Sequence, residues 1–382
     1  MREHDEIRRL GFPAKVGLLV LGLVCLLCIV SLPFTLARGP SGQPRYNEGD
    51  LGDARLPPVW APVSPLQAAR LNARVPEGRL REIAAMYGLT PEQAAEAATG
   101  PCADSLRREW RRTALGTDAQ GRSLAVRVLL GGAVSLAVGL AAALISVVIG
   151  TLYGAVAGYA GGWLDGLLMR IVDVLYGLPY VLLVVLLAVA GDAVIDEWVN
   201  RQHERASWVA AQAETTPESD LRAEALRRFP PRVLAESTRR AMGLLTLLIA
   251  IGGVSWLSLS RVVRGQVMSL RQRPFVEAAR ALGASPWRVF WRHLMPNLAG
   301  PVLVYATLTV PQAMLQESFL SFLGIGVPPP IPSWGSLASE GLAEINPYES
   351  SWWLPAAPGV MLAVTLLSLN FVGEGLRRRW VR

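Results

Sequence analysis

Residues 277–297 read EAARALGASPWRVFWRHLMPN, a hydrophilic stretch set between two long apolar runs. Local chemistry makes it a folded elbow. Pro274 can open a short helix, where its missing N–H does no harm. Glu277, Ala278, Ala279, Arg280, Ala281 and Leu282 all suit helix, and Gly283 is the natural stop because a left-handed residue costs glycine least. Ser285 then caps a second helix with Pro286 at its first position. That helix is expected to run through Trp287–Met295, with Pro296 ending it. A helix–glycine–helix elbow with a small Ala278–Ala279 surface and a basic rim suits docking in another protein's groove.

The runs on either side set the class. The chain has 382 residues, 52% hydrophobic, and a mean hydropathy of +0.34, which is too apolar for an ordinary soluble protein. Six stretches reach the roughly 20 apolar residues that a membrane span requires: 16–37, 132–158, 168–190, 241–260, 298–320 and 353–374. The first is read as an anchor rather than a cleaved signal, since no A-x-A site follows it. The second and third are separated by the Gly-rich turn GYAGGWLDG.

Arginine sets the orientation. Arg2, Arg8, Arg9 and Lys15 precede the first span, seven arginines from Arg261 to Arg292 surround the elbow, and Arg377, Arg378, Arg379 and Arg382 close the chain. With six spans all three groups face one side, and the positive-inside rule makes that side cytoplasmic. The net charge of +7 then needs no nucleic acid to explain it. The expected order is a cytoplasmic N-terminus (1–15), the first span (16–37), an extracytoplasmic segment (38–124), two spans (125–190), a second extracytoplasmic insert (191–240), a core (241–376) holding the cytoplasmic loop 261–297, and a basic cytoplasmic tail (377–382). Long outer segments translocate largely regardless of their charge. Residues 78–97, GRLREIAAMYGLTPEQAAEA, spell a possible DNA-binding helix-turn-helix, but outside the cytoplasm they read as a helical hairpin turning at Gly88 and capped by Thr90. The 191–240 insert has a similar helical pattern split by Thr216-Pro217.

The elbow resembles the EAA loop of ABC-importer permeases, with His293 and Met295 where Ile and Leu are usual. RHLMPN reads as a variant of RHILPN, which fits the dipeptide/oligopeptide branch, and Met for Leu nearly conserves volume. Two further stretches carry the same resemblance. GTDAQGR at 116–122 is similar to the branch's GTDxxGRD, with Ser123 at the final Asp, and GGAVSL stands where GARxSL is usual. SFLGIGVPPPIPSWG, beginning at Ser321, resembles SFLGLGVxPPxPSWG, and WWLPAAPGVMLAVTLLSLNFVGEGLR is similar to the branch's last span. Together they cover about 116–190 and 241–377.

The resemblance implies an all-α membrane protein of type I permease fold with about six spans and two helical outer inserts. It implies a transport subunit and not an enzyme, placed in the bacterial inner membrane with both termini inside. It further implies pairing with a second permease, with two cytoplasmic ATPases and with an extracytoplasmic solute-binding protein. ATP and Mg belong to the ATPases, and no cofactor is expected on this chain. The loop gripped by the ATPase corresponds to Glu277, Ala278, Ala279, Gly283, Pro296 and Asn297. Peptides or similar small solutes are the cargo that the resemblance implies.

The residues add their own candidates. Tyr305, Thr309, Gln312 and Gln316 recur at three- and four-residue steps on one face of the fifth span, with Glu317 beside them. They read either as a polar seam between helices or as the wall of a path for a polar solute, since charges in a membrane core face protein or water. Arg170 and Asp173 are spaced to pair, and Thr117 or Asp118 to cap the second span. Cys25 and Cys28 form a CxxC inside the first span, where two small buried hydrophobes are the better reading, and Cys102 stands apart. The chain has no GxxxxGK[ST] and no HExxH, and His4, His203 and His293 are scattered. An ion-driven secondary transporter, the main alternative, would carry internal repeats and midplane charges, and no repeat is found.

Overall fold

Gly177-Leu178-Pro179 breaks what the apolar pattern presents as one continuous third span. The helices Gly162–Tyr176 and Tyr180–Asn200 meet there at 91°. Pro179 has no N–H to continue the ladder and disfavours helical geometry at Leu178. The computed structural model describes residues 11–380 apart from 62, 64, 98, 111–112, 213–217, 231, 233–234 and 346–350.

In chain order the helices are α1 (Phe12–Leu36), α2 (Pro65–Asn72), α3 (Glu77–Met86), α4 (Pro91–Glu96), α5 (Pro101–Glu109), α6 (Leu124–Ala160), α7 (Gly162–Tyr176), α8 (Tyr180–Asn200), α9 (Gln202–Gln212), α10 (Glu218–Arg228), α11 (Glu236–Arg271), α12 (Pro274–Ala281), α13 (Pro286–Val289), α14 (Met295–Phe322), α15 (Trp334–Ala343) and α16 (Trp353–Trp380). Among the described residues no strand forms, only three isolated bridges. Five helices are long and apolar enough to cross a membrane, six with the bent pair α7–α8. The all-α architecture with about six spans is therefore observed. Helix ends differ from the apolar limits: the second span extends to 124–160, and the fourth, expected over 241–260, runs to Arg271. The first eleven residues of the expected 261–297 loop are thus continuous with that helix. The turn between α6 and α7 shrinks to Gly161, at φ +66°.

The chain divides into two compact units. One comprises the residues up to Val20, Leu136–Pro329 and those from Leu366; the other comprises Leu21–Ser135 and Pro330–Thr365. In the first, α6 and α11 cross closely through Gly150, Gly154 and Gly158. A Cβ at Gly154 would lie 2.3 Å from the Ser260 carbonyl oxygen, and one at Gly158 would lie 2.7 Å from that of Arg264. Small residues four apart let helix backbones approach in this way. Arg264 grips Asp165 in a two-pronged ion pair (2.5 and 2.6 Å), and Arg271 donates to the Gly158 carbonyl at 3.0 Å. Asp173 pairs with Arg261 at 2.8 Å. The expected Arg170–Asp173 pair does not form: a neighbouring helix offers a better-placed guanidinium than the residue three positions back.

In the second unit α2 to α5 close over their own core of Ala68, Leu71, Ile83, Ala94, Leu106 and Trp110. The hairpin turns at Gly88 (φ +67°), and Thr90 caps α4 in a reciprocal box with Gln93. Cys102 is buried in this core, and burial pushes its thiol up. In the insert of the first unit, Thr216-Pro217 lies outside the described residues.

Candidate functional site

The elbow forms where the sequence puts it, and its two ends are fixed by separate local devices. At the close of α12 the Gly283 N–H bonds the Arg280 carbonyl (2.9 Å) and the Ala284 N–H reaches the Ala279 carbonyl (3.0 Å). These bonds satisfy two orphaned carbonyls and need a left-handed residue, which Gly283 supplies at φ +80°. The Ser285 hydroxyl then accepts from the Arg288 N–H, and Pro286 takes the first turn of α13.

Pro296 departs from expectation. It does not end the helix. A π turn over Phe290–Leu294 joins α13 to α14, with the Met295 N–H bonded back to the Phe290 carbonyl, and Pro296 lies in the first turn of α14. The wider turn re-phases the ladder just where proline removes a donor, so the chain passes through without a stop. Asn297 donates from Nδ2 to the His293 carbonyl at 2.6 Å across the same junction.

Burial divides the elbow into an inner and an outer face. Val276, Val289, Phe290, Leu294 and Leu298 pack with Ala155 of α6 and with Leu259, Val263 and Val267 of α11. The outer face carries Glu277, Ala278, Ala281, Gly283 and Arg288, together with Leu282 (89% exposed) and Trp287 (72%). Glu277 forms no side-chain bond or ion pair among the described residues. Two large apolar side chains held out on a rigid, charged-rimmed turn are what a protein groove can bury.

Tyr159, near the end of α6, holds the elbow and was not singled out by the sequence. Its hydroxyl donates to the Pro286 carbonyl at 3.0 Å, its ring lies 5.6 Å from that of Phe290, and the guanidinium groups of Arg271 and Arg280 each lie 5.9 Å from its centroid. Its partners are more than a hundred residues away, so no local pattern announces it.

The polar stripe of the fifth span divides. Gln316 accepts from the Tyr180 hydroxyl at 2.6 Å, and Tyr180 also bonds Ser255, 2.9 Å away. This joins α14 to α8 and α11. Thr309 is buried and donates to the Tyr305 carbonyl, whereas Tyr305 and Gln312 are exposed. Glu317 is wholly buried. It accepts from Ser321 (2.8 Å) and Ser318 (3.3 Å), and Ser321 in turn accepts from the Val327 N–H. Glu317 therefore stands off the exposed face, tied to the turn that follows α14.

GTDAQGR acts differently from a helix cap, because α6 begins only at Leu124. Thr117 accepts from the Leu56 N–H. Asp118 accepts from the N–H groups of Gln120 and Arg122 (2.9 Å each), and from the Arg122 and Arg127 side chains (2.7 Å each). Arg127 is 2% exposed and also pairs with Glu340 of α15 at 2.6 Å. In the proline-rich signature, Trp334 is fully buried, with Nε1 donating to the Val128 carbonyl (2.9 Å) and its backbone N–H to Ser135 (3.1 Å). Gly132 leaves room for that ring: a Cβ there would sit 2.5 Å from it.

Residues 150–382 match the family described as binding-protein-dependent transport system inner membrane component. The oligopeptide transport system permease protein OppC of Salmonella typhimurium is 46% identical over 156 residues, 40% of this chain and 51% of the relative. The same protein from Haemophilus influenzae is 48% identical over 131 residues, 34% of this chain and 41% of the relative. The dipeptide transport system permease protein DppC of Bacillus subtilis is 36% identical over 262 residues, 69% of this chain and 66% of the relative. The chain spans about half the length of the oligopeptide relatives it matches.

Proposed function

Because the chain belongs to the family of binding-protein-dependent transport system inner membrane components, we propose that it is the membrane-spanning permease subunit of an ATP-driven importer of peptides or similar small solutes. The observation that carries this reading is the elbow at 274–297: a rigid turn with Leu282 and Trp287 held outward and an inner face rooted in two spans. A cytoplasmic ATPase seats on the outer face. Burying one such side chain is worth about 1.5–3 kcal/mol. A second permease completes the path, and an extracytoplasmic binding protein delivers the solute. ATP and Mg act on the ATPase subunits. Both termini and the elbow lie on the cytoplasmic side, in keeping with the arginines around them.

Closure of the ATPases displaces the elbow as a unit. Val276 and Val289 press on α11, and the π turn passes the movement to α14. Tyr159 ties the same movement to α6. The spans then switch between two arrangements, biased by nucleotide at one end and by loaded binding protein at the other. Tyr305 and Gln312, exposed on α14, are the candidates to face the solute.

The test is Glu277→Arg, which reverses a charge that the outer face leaves unpaired among the described residues. The variant should reach the membrane at wild-type levels, lose co-purification of an ATPase from detergent extracts, and lose ATP-dependent uptake. Solute uptake in ATP-free vesicles under an ion gradient, with no ATPase recovered even on the wild type, would replace this reading with a secondary transporter.

A further inference from the structure

We propose that the segment between α1 and α6 rests on the bilayer surface through an aromatic pair, Trp60 and Trp352, lodged among lipid headgroups where the last span begins. The depth follows from α16. From Trp353 to Gly373 the helix carries no charge, and Glu374, Arg377 and Arg378 follow at once. Those 21 residues rise about 31 Å at about 1.5 Å each, close to the roughly 30 Å hydrocarbon core. Trp352, next in line outside them, therefore falls at the headgroup level.

Trp60 lies at the same level because it touches Trp352: the ring centroids are 5.7 Å apart, edge to face. Trp352 in turn packs on Trp353 at 6.4 Å. The pair is rigid, since Trp60 Nε1 donates to the Ala114 carbonyl at 2.9 Å. It is also uncovered, with Trp60 59%, Val59 48% and Trp352 44% exposed. A tryptophan with its N–H satisfied and its ring bare is costly in water, but at home in the zone between water and acyl chains. Lipid is favoured over a protein partner because the helix directly below is itself bare, with Val360 60% exposed and Val364 sharing its face.

The inference needs only the spans and holds whatever the chain transports. The full chain, purified with the subunits that accompany it and carrying Trp60→Cys, is labelled with an environment-sensitive fluorophore and placed in lipid nanodiscs. Unsubstituted chain taken through the same labelling supplies the background. Nitroxide lipids report depth. The expected result is blue-shifted emission and quenching at least threefold stronger by a nitroxide near the headgroup than by one at mid-chain. A label at Met86→Cys, elsewhere on the same segment, should be quenched by neither. Val59→Cys repeats the test with both tryptophans in place, should Trp60→Cys disturb folding. Absence of quenching at both positions 59 and 60 overturns the proposal, whether the label is found in water or shielded by a second protein.

Discussion

At the scale of single residues, Gly283 shows how a backbone requirement is separated from a packing one. Nothing lies within 4 Å of a Cβ built there, yet its φ is +80°. Gly283→Ala therefore adds no clash and only the left-handed penalty of about 1–2 kcal/mol. The Ala284 amide, bonded to Ala279 across the turn, should exchange its hydrogen roughly tenfold faster in the variant, as about 1.4 kcal/mol implies, while membrane insertion is unchanged. Equal exchange rates would mean that the turn is held from outside and not by its own glycine. Asp118 is the opposite case, a residue whose role lies wholly in its partners. Four donors converge on it, one from a guanidinium as buried as a core leucine.

At the scale of elements, α6 and α11 make the tightest crossing. Gly150, Gly154 and Gly158 present a smooth strip to the α11 carbonyls, and the Asp165–Arg264 pair clamps the end of that crossing. Gly154→Leu would push four heavy atoms into a gap of 2.3 Å, and overpacking of this kind costs about 1–3 kcal/mol. The elbow hangs from the same two helices through Tyr159 and Val263, so the loss should spread to it. We expect a thermal midpoint lowered by several degrees in detergent and faster labelling of a cysteine placed at Val276. Retention of wild-type values in both measurements would show that the crossing is looser than the glycine spacing implies.

At the scale of the molecule, the two units keep separate cores. The helices α2 to α5 close around Trp110, whose Nε1 donates to Asn72 at 3.0 Å, whereas the elbow shares its core with α6, α11 and α14. Trp110→Ala removes about 3–5 kcal/mol of packing and takes from Asn72 a buried donor. Because sites that share no partners contribute independently, limited proteolysis should cut the variant within 65–109 while the membrane spans remain intact. Cleavage appearing equally in the elbow would show that the two cores melt together.

The sequence by itself determined where the long apolar helices lie, though not their ends or the bend in the third, the helical character of both inserts, and the elbow with its stop at Gly283 and its cap at Ser285. All of these rest on interactions reaching a few residues, or on apolar runs whose length is set by the bilayer. Tertiary structure alone decided that Pro296 is passed through a π turn, that Asp173 pairs with Arg261, that Glu317 is buried off the exposed face of its span, and that Tyr159 holds the elbow. Each of the last three depends on a partner, or on a covering surface, brought close only by folding. The helix at Pro296 continues because α14 already packs beyond it, through Leu298. Local rules say what a residue can do next to its neighbours; packing chooses which of the distant groups it meets.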